Sequence, residues 1–159
     1  GHMTANYVTN PASALRPIMV VEDNDMDLDF CLQAFEEHAI ANPVIVCRDG
    51  DEAFAYMADH NDPSEHGFPL LVLLDLRLPK IDGIDVLRHA RNQPVWKQVP
   101  FIVLTTSSQN ADIAAAYQQG VNSYIVKPVD FAKFSDVVKQ IKVYWILTNE
   151  PPFAAAGGR

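Results

Sequence analysis

Basic residues are scarce in this 159-residue chain: 12 Lys and Arg stand against 20 Asp and Glu, a formal charge of −8. Affinity for DNA or RNA comes largely from phosphate neutralisation by Lys and Arg. No basic cluster and no aromatic-basic interleaving occurs, so nucleic acid is not expected as a direct partner. Cysteine is limited to Cys31 and Cys47, both in apolar patterns, which predicts buried thiols in a reducing cytoplasm rather than a disulfide. No apolar run reaches the roughly 18 residues a membrane span needs, and no signal peptide is apparent. A Gly-rich phosphate loop is missing, which argues against ATP binding of the kinase kind. Beyond His2, the histidines His38, His60, His66 and His89 never occur at metal-ligand spacing and read as surface residues.

Gly1-His2-Met3 looks like the remnant of an expression tag. Residues 1–16 read as that remnant plus a flexible arm, 17–148 as one folded domain, and 149–159 as a flexible tail introduced by Pro151-Pro152. Nothing folded is expected after the last helix, so output would run through another protein or self-association.

Between those ends, strand and helix patterns alternate five times. The strands are Ile18 to Val21, Val44 to Cys47, the apolar run from Leu70 that ends in Asp75, Pro100 to Thr105 and Ser123 to Val126. The first helix, about Asp25 to Ala39, carries Leu28, Cys31, Leu32, Phe35 and Ala39 on one face. Further helices are expected over Asp51 to Ala58, from Ile84 through Arg91, from Gln109 or Asn110 to Gln119 with Gly120 as the residue beyond its end, and after an Asp130 cap. Five strand–helix units with short connections imply an α/β fold, a parallel sheet with helices on both faces.

The chemistry gathers where the strands end. Glu22 and Asp23 follow the first strand, Asp75 the third, Thr105 closes the fourth and Lys127 follows the fifth. Ligands of open α/β sheets bind at this carboxyl edge. Three neighbouring carboxylates repel one another unless a cation sits among them, and hard oxygen ligands suit Mg²⁺. Lys127 would supply a point charge, and Thr105 a hydrogen bond, for an anion. The reaction that fits is phosphoryl transfer, with Asp75 as carboxylate nucleophile. Each residue alone has a plainer reading: Asp75 as a helix cap, Glu22-Asp23 as a solvated turn, Lys127 as a surface charge, Tyr124 as core edge.

These residues stand in segments that resemble the response-regulator receiver domains of two-component signalling: Val20-Val21-Glu22-Asp23-Asn24, Leu73 to Gly83, Leu104-Thr105-Thr106 and Tyr124-Ile125-Val126-Lys127-Pro128. The resemblance spans essentially all of 17–148. It implies a flavodoxin-like doubly wound sheet of strand order 2-1-3-4-5. It also implies Asp75 as phosphoacceptor, Asp23 as direct Mg²⁺ ligand, Glu22 acting through water, and the Arg77 backbone carbonyl in the metal shell. Thr105 and Tyr124 become a switch pair, Lys127 bridges to the phosphoryl group, and the Lys127-Pro128 bond is expected to be cis. The domain would catalyse its own phosphorylation and dephosphorylation without being a conventional turnover enzyme. Thr106 departs from the small residue many receivers carry after the switch hydroxyl, which predicts a longer-lived phosphoryl group.

The loop Asp59 to Phe68 and the ending Tyr144 to Pro152 resemble stand-alone receivers paired with phytochrome-type histidine kinases, which implies such a kinase as donor. Val143-Tyr144-Trp145-Ile146-Leu147 is apolar all round, more than one buried face requires. It predicts a homodimer through the fifth helix with the neighbouring fourth helix and fifth strand. The alternative function is a phosphate sink or relay intermediate passing phosphate to a histidine phosphotransfer protein. Two other readings fail on residues: an EF-hand starting at Asp23 would need Gly at Leu28 and Glu at Ala34, and a haloacid-dehalogenase-like phosphatase would need a second Asp where Arg77 stands.

Overall fold

The structure is a computed structural model, and residues 8–9 and 14–147 are described. Five parallel strands, β1 (Ile18–Val21), β2 (Val44–Cys47), β3 (Leu71–Leu74), β4 (Phe101–Thr105) and β5 (Ser123–Val126), lie in the order β2-β1-β3-β4-β5. Five α-helices alternate with them: α1 (Asp25–Glu37), α2 (Gly50–Asp59), α3 (Gly83–Arg91), α4 (Asn110–Gln118) and α5 (Phe131–Ile141). The expected fold class and strand order are those observed.

Every residue of β1, β2, β3 and β4 is buried, as unbroken apolar strands covered on both faces must be. Alternate residues feed two cores. Met19, Val21, Val72, Leu74, Phe101 and Val103 pack towards α2, α3 and the single buried residue of α4, Ala116. Ile18, Val20, Leu71, Leu73, Ile102 and Leu104 pack towards α1 and α5. Because all strands run the same way, their carboxyl ends share one rim, and the register fixes its level: Val21 pairs with Leu74 and Cys47, and Thr105 with Val126.

Helix ends follow local chemistry. Asn24, Asp49 and Asp130 each accept a hydrogen bond from the third residue along, capping α1, α2 and α5. Gly120, at φ 79°, takes the left-handed position after α4 that was expected of it. Most helix ends fall within a residue of the sequence reading, and the larger differences are at α1 and beyond α5. Helix α1 stops at Glu37, and Ala39 adopts φ 54°, outside the helical region. The chain beyond α5 continues as one wider π turn, Lys142–Ile146. There Ile146 turns into the core beside Ile141, while Val143, Tyr144 and Leu147 are exposed.

The N-terminal arm is not wholly loose. Val8 forms an antiparallel bridge to Ile45, the Thr9 amide donates to the Val44 carbonyl at 3.2 Å, and Thr9 Oγ1 accepts from the Val44 amide at 3.0 Å. The outer edge of β2 is therefore partly covered. The tail 149–159 lies outside the described residues. Both cysteines are buried, as expected. Three histidines are more enclosed than their sequence context suggested. His38 Nε2 is 2.8 Å from Ser135 Oγ, His60 stacks on Tyr56 with ring centroids 3.8 Å apart, and His89 lies against Phe54.

Candidate functional site

The rim of the sheet draws together the residues that end the strands. The Asp75 amide donates to the Val21 carbonyl at 3.0 Å, which continues the β1–β3 ladder by one residue and holds Asp75 level with Glu22. The chain can then turn away because residue 83 is glycine: a Cβ there would lie 2.4 Å from the Asp75 carbonyl oxygen and 2.6 Å from Leu76 Cα. The Lys127 amide donates to the Thr105 carbonyl at 2.7 Å, which fixes the root of the lysine. Asn24 caps α1 through the Asp27 amide while its own amide donates to Glu22 Oε2 at 3.1 Å, so one residue sets both the helix and the carboxylate.

One carboxylate oxygen from each of Glu22, Asp23 and Asp75 lies within 4.8 Å of the others. Glu22 and Asp75 are buried, and Asp23 is the more open of the three. The Lys127 ammonium donates to Asp75 Oδ2 at 2.9 Å, to Asp27 Oδ2 at 2.7 Å and to Glu22 Oε1. Burial, then the charge of Asp75, pushes the Glu22 carboxyl up to about 7. Burial would lower the ammonium of Lys127, but Glu22, Asp27 and Asp75 outweigh it and hold the group above its ordinary value. One cation thus faces a surplus of carboxylates. That surplus, made of hard oxygen donors only, fits a divalent ion of the Mg²⁺ type.

Above the rim runs a second set of contacts. Thr105 is fully buried, and its Oγ1 accepts from the Ser107 amide at 3.4 Å. The Tyr124 hydroxyl donates to the Ser107 carbonyl at 2.9 Å, so the two expected switch residues meet at one loop residue. The Arg77 amide donates to Asp75 Oδ1 at 3.0 Å. Its guanidinium pairs with Asp112 of α4 at 2.7 Å, and Ser107 Oγ also bonds Asp112.

All the strand-end residues named from the sequence, Glu22, Asp23, Asp75, Thr105, Tyr124 and Lys127, come to this rim. Four participants were missed: Asp27, Ser107, Asp112 and the side chain of Arg77. Asp27 is an acidic residue in the first turn of α1, an ordinary place for one, and no local pattern marks a partner 100 residues away. One expectation is corrected. The Lys127-Pro128 bond is trans, the lower-energy isomer of an X–Pro bond, and in this form Lys127 reaches all three of its carboxylates.

Known proteins carry the same pattern along the same length. The family model for the response regulator receiver domain matches residues 18–139. The probable methanogenesis regulatory protein FilR2 of Methanothrix harundinacea is 38% identical over 135 residues, 85% of this chain and 86% of that protein. Response regulator Rcp1 of a Synechocystis strain is 34% identical, covering 86% of this chain and 93% of Rcp1. The solved Mn²⁺-bound form of Rcp1 superposes with a TM-score of 0.75, covering 84% of this chain and 96% of that one at 33% identity. The phosphorylated cyanobacterial phytochrome response regulator RcpA superposes at 0.77 with 36% identity, covering 85% of this chain and 96% of its own. A family match over most of the chain, a strand order of 2-1-3-4-5 and acidic, hydroxyl and ammonium groups at one rim lead to one assignment: this chain belongs to the response regulator receiver domain family.

Proposed function

We propose that the protein is a phosphorylation-controlled receiver that takes a phosphoryl group from a sensor histidine kinase onto Asp75. The observation that carries this reading is the convergence of Glu22, Asp23, Asp75, Thr105 and Lys127 on one rim, two of the carboxylates buried. An Asp75 oxygen attacks phosphorus, the P–O bond forms as the P–N bond of the donor phosphohistidine breaks, and the imidazole nitrogen leaves with the electron pair and takes a proton from water. Lys127 offers its charge to the phosphoryl oxygens in place of the Asp75 carboxylate it now binds. The Thr105 hydroxyl lies on the same side and turns from the Ser107 amide to a phosphoryl oxygen. Glu22, Asp23, Asp75 and the Arg77 carbonyl would hold Mg²⁺, whose charge offsets that of the transferred group. Tyr124, tied to Ser107, senses the movement of Thr105 through that loop residue.

Intact mass after exposure to acetyl phosphate tests the chemistry. Wild type with Mg²⁺ gains one phosphoryl group, and wild type without Mg²⁺ or Asp75→Asn does not. A gain that persists in Asp75→Asn overturns the choice of nucleophile.

The likeness to Rcp1 and RcpA supports a phytochrome-type kinase as donor, and a reducing, cytoplasmic setting agrees with two buried cysteines. Phosphotransfer from such a kinase in preference to unrelated kinases tests the pairing. The receiver pairs with a second copy through the α4–β5–α5 side, supported by exposed Val126, Val143, Tyr144 and Leu147 there and by Trp145, which is only partly buried. Sedimentation of Tyr144→Arg/Leu147→Glu as a monomer, with wild type as a dimer, is the expected result; wild type sedimenting as a monomer with and without phosphorylation refutes it.

A further inference from the structure

The Arg77 guanidinium occupies an unusual position. Its backbone amide is bound to Asp75, two residues earlier, while its side chain reaches across the rim to the first turn of α4. Ser107 Oγ lies 3.4 Å from the same Arg77 nitrogen and also bonds Asp112. Ser107 is the residue whose amide meets Thr105 and whose carbonyl meets Tyr124. A continuous set of contacts therefore runs from the Asp75 carboxylate to α4. Helix α4 has little else to hold it: it buries only Ala116, and its N-cap residue Gln109 makes no side-chain cap. The Arg77–Asp112 pair and the Ser107–Asp112 hydrogen bond tie its first turn to the rim.

A guanidinium is a planar, multi-donor group suited to phosphate oxygens. Phosphorylation replaces the single charge of the Asp75 carboxylate with a phosphoryl group carrying close to two, a net gain of about one negative charge, beside the loop on which Arg77 sits. Asp112 offers one charge and is already shared with Ser107. We propose that Arg77 is a phosphoryl-responsive latch: it holds α4 through Asp112 in the resting chain and passes to the phosphoryl oxygens once Asp75 is phosphorylated. The transfer gives the phosphoryl group a further positioning residue and frees the first turn of α4. The inference rests on Asp75 as the phosphoacceptor.

The test is a calorimetric titration with beryllofluoride and Mg²⁺, a phosphoryl mimic, on wild type, Asp112→Asn, Arg77→Gln, the double variant and Asp75→Asn. Asp112→Asn frees the guanidinium from an exposed ion pair and tightens binding about two- to fivefold. Arg77→Gln weakens binding by about tenfold, the worth of a charge-assisted hydrogen bond. In the Arg77→Gln background, Asp112→Asn changes nothing. Amide exchange in α4 rises when wild type binds the mimic and is already raised in free Asp112→Asn. An equal gain from Asp112→Asn in both arginine backgrounds indicates a plain charge effect and overturns the latch, as does no gain in wild type. Failure of wild type to bind, or undiminished binding by Asp75→Asn, overturns the phosphoacceptor reading itself and the latch with it.

Discussion

Lys127→Met would leave the rim with its carboxylates and no ammonium. Met keeps the unbranched stem and much of the volume, so packing changes little while the charge is lost. The side chain is 4% exposed and its partners Glu22 and Asp75 are 4% and 7% exposed, so these pairs are buried; Asp27, at 27%, keeps some water. Removing one partner of a buried ion pair costs about 3–5 kcal/mol. With one of the three partners partly hydrated, a loss of about 3 kcal/mol is expected at pH 7.5 without Mg²⁺. At a urea slope of ~2 kcal/mol/M this lowers the midpoint by ~1.5 M.

The stability of the rim also depends on pH. Glu22 titrates at about 7 in the fold against an ordinary 4.5, so its protonated form is favoured on folding. That contribution is fully present below 4.5 and is lost as pH rises through 7. Lys127 pulls the Glu22 pKa down, so its removal raises that pKa further and enlarges the loss at neutral pH. The deficit of Lys127→Met therefore shrinks between pH 7.5 and pH 5, and it also shrinks in saturating Mg²⁺. Urea unfolding at both pH values is the assay. A deficit under 1 kcal/mol at pH 7.5, or one of the same size at pH 5, would refute the account of the rim as a carboxylate surplus held by one ammonium.

Gly83→Ala forces a Cβ onto the backbone of Asp75 and Leu76 and costs about 2–3 kcal/mol in thermal unfolding; unchanged stability would mean the turn relaxes freely. Asn24→Ala removes the side-chain cap of α1 and costs about 1 kcal/mol in thermal unfolding, whereas Mg²⁺ binding measured by titration changes little, because the hydrogen bond to Glu22 comes from the backbone amide and stays. Thr106→Ala speeds loss of the phosphoryl group, followed by intact mass after removal of acetyl phosphate; slower loss in the variant contradicts the longer lifetime expected from Thr106.

The strand-end residues were legible because the backbone enforces them. A four-residue apolar run that must be covered on both faces can place a polar group only where it ends, so Glu22, Asp75, Thr105 and Lys127 announce a rim even before the strands are ordered. The resemblance then supplied the order. Asp27, Ser107 and Asp112 gave no such signal. Each has an ordinary local use, in a helix first turn or a loop, and its partner is set by tertiary placement alone. The reach of the Arg77 side chain is hidden for the same reason. The end of α5 was half readable: its apolar excess shows in the sequence, but the wider turn that buries Ile146 and leaves Tyr144 outside does not.

The two borders of the sheet are unlike. Along β2 the Val8–Thr9 segment takes up backbone groups of Val44 and sits against Ile45, whereas β5 is the other terminal strand and none of its residues is fully buried. A sheet with both borders open is a template that grows copy by copy into a fibre. Val8–Thr9 hinders growth along the β2 border. Under the pairing proposed for the α4–β5–α5 side, the second border would be taken up as well, and such an assembly would close at two copies with Val8–Thr9 as its stopper.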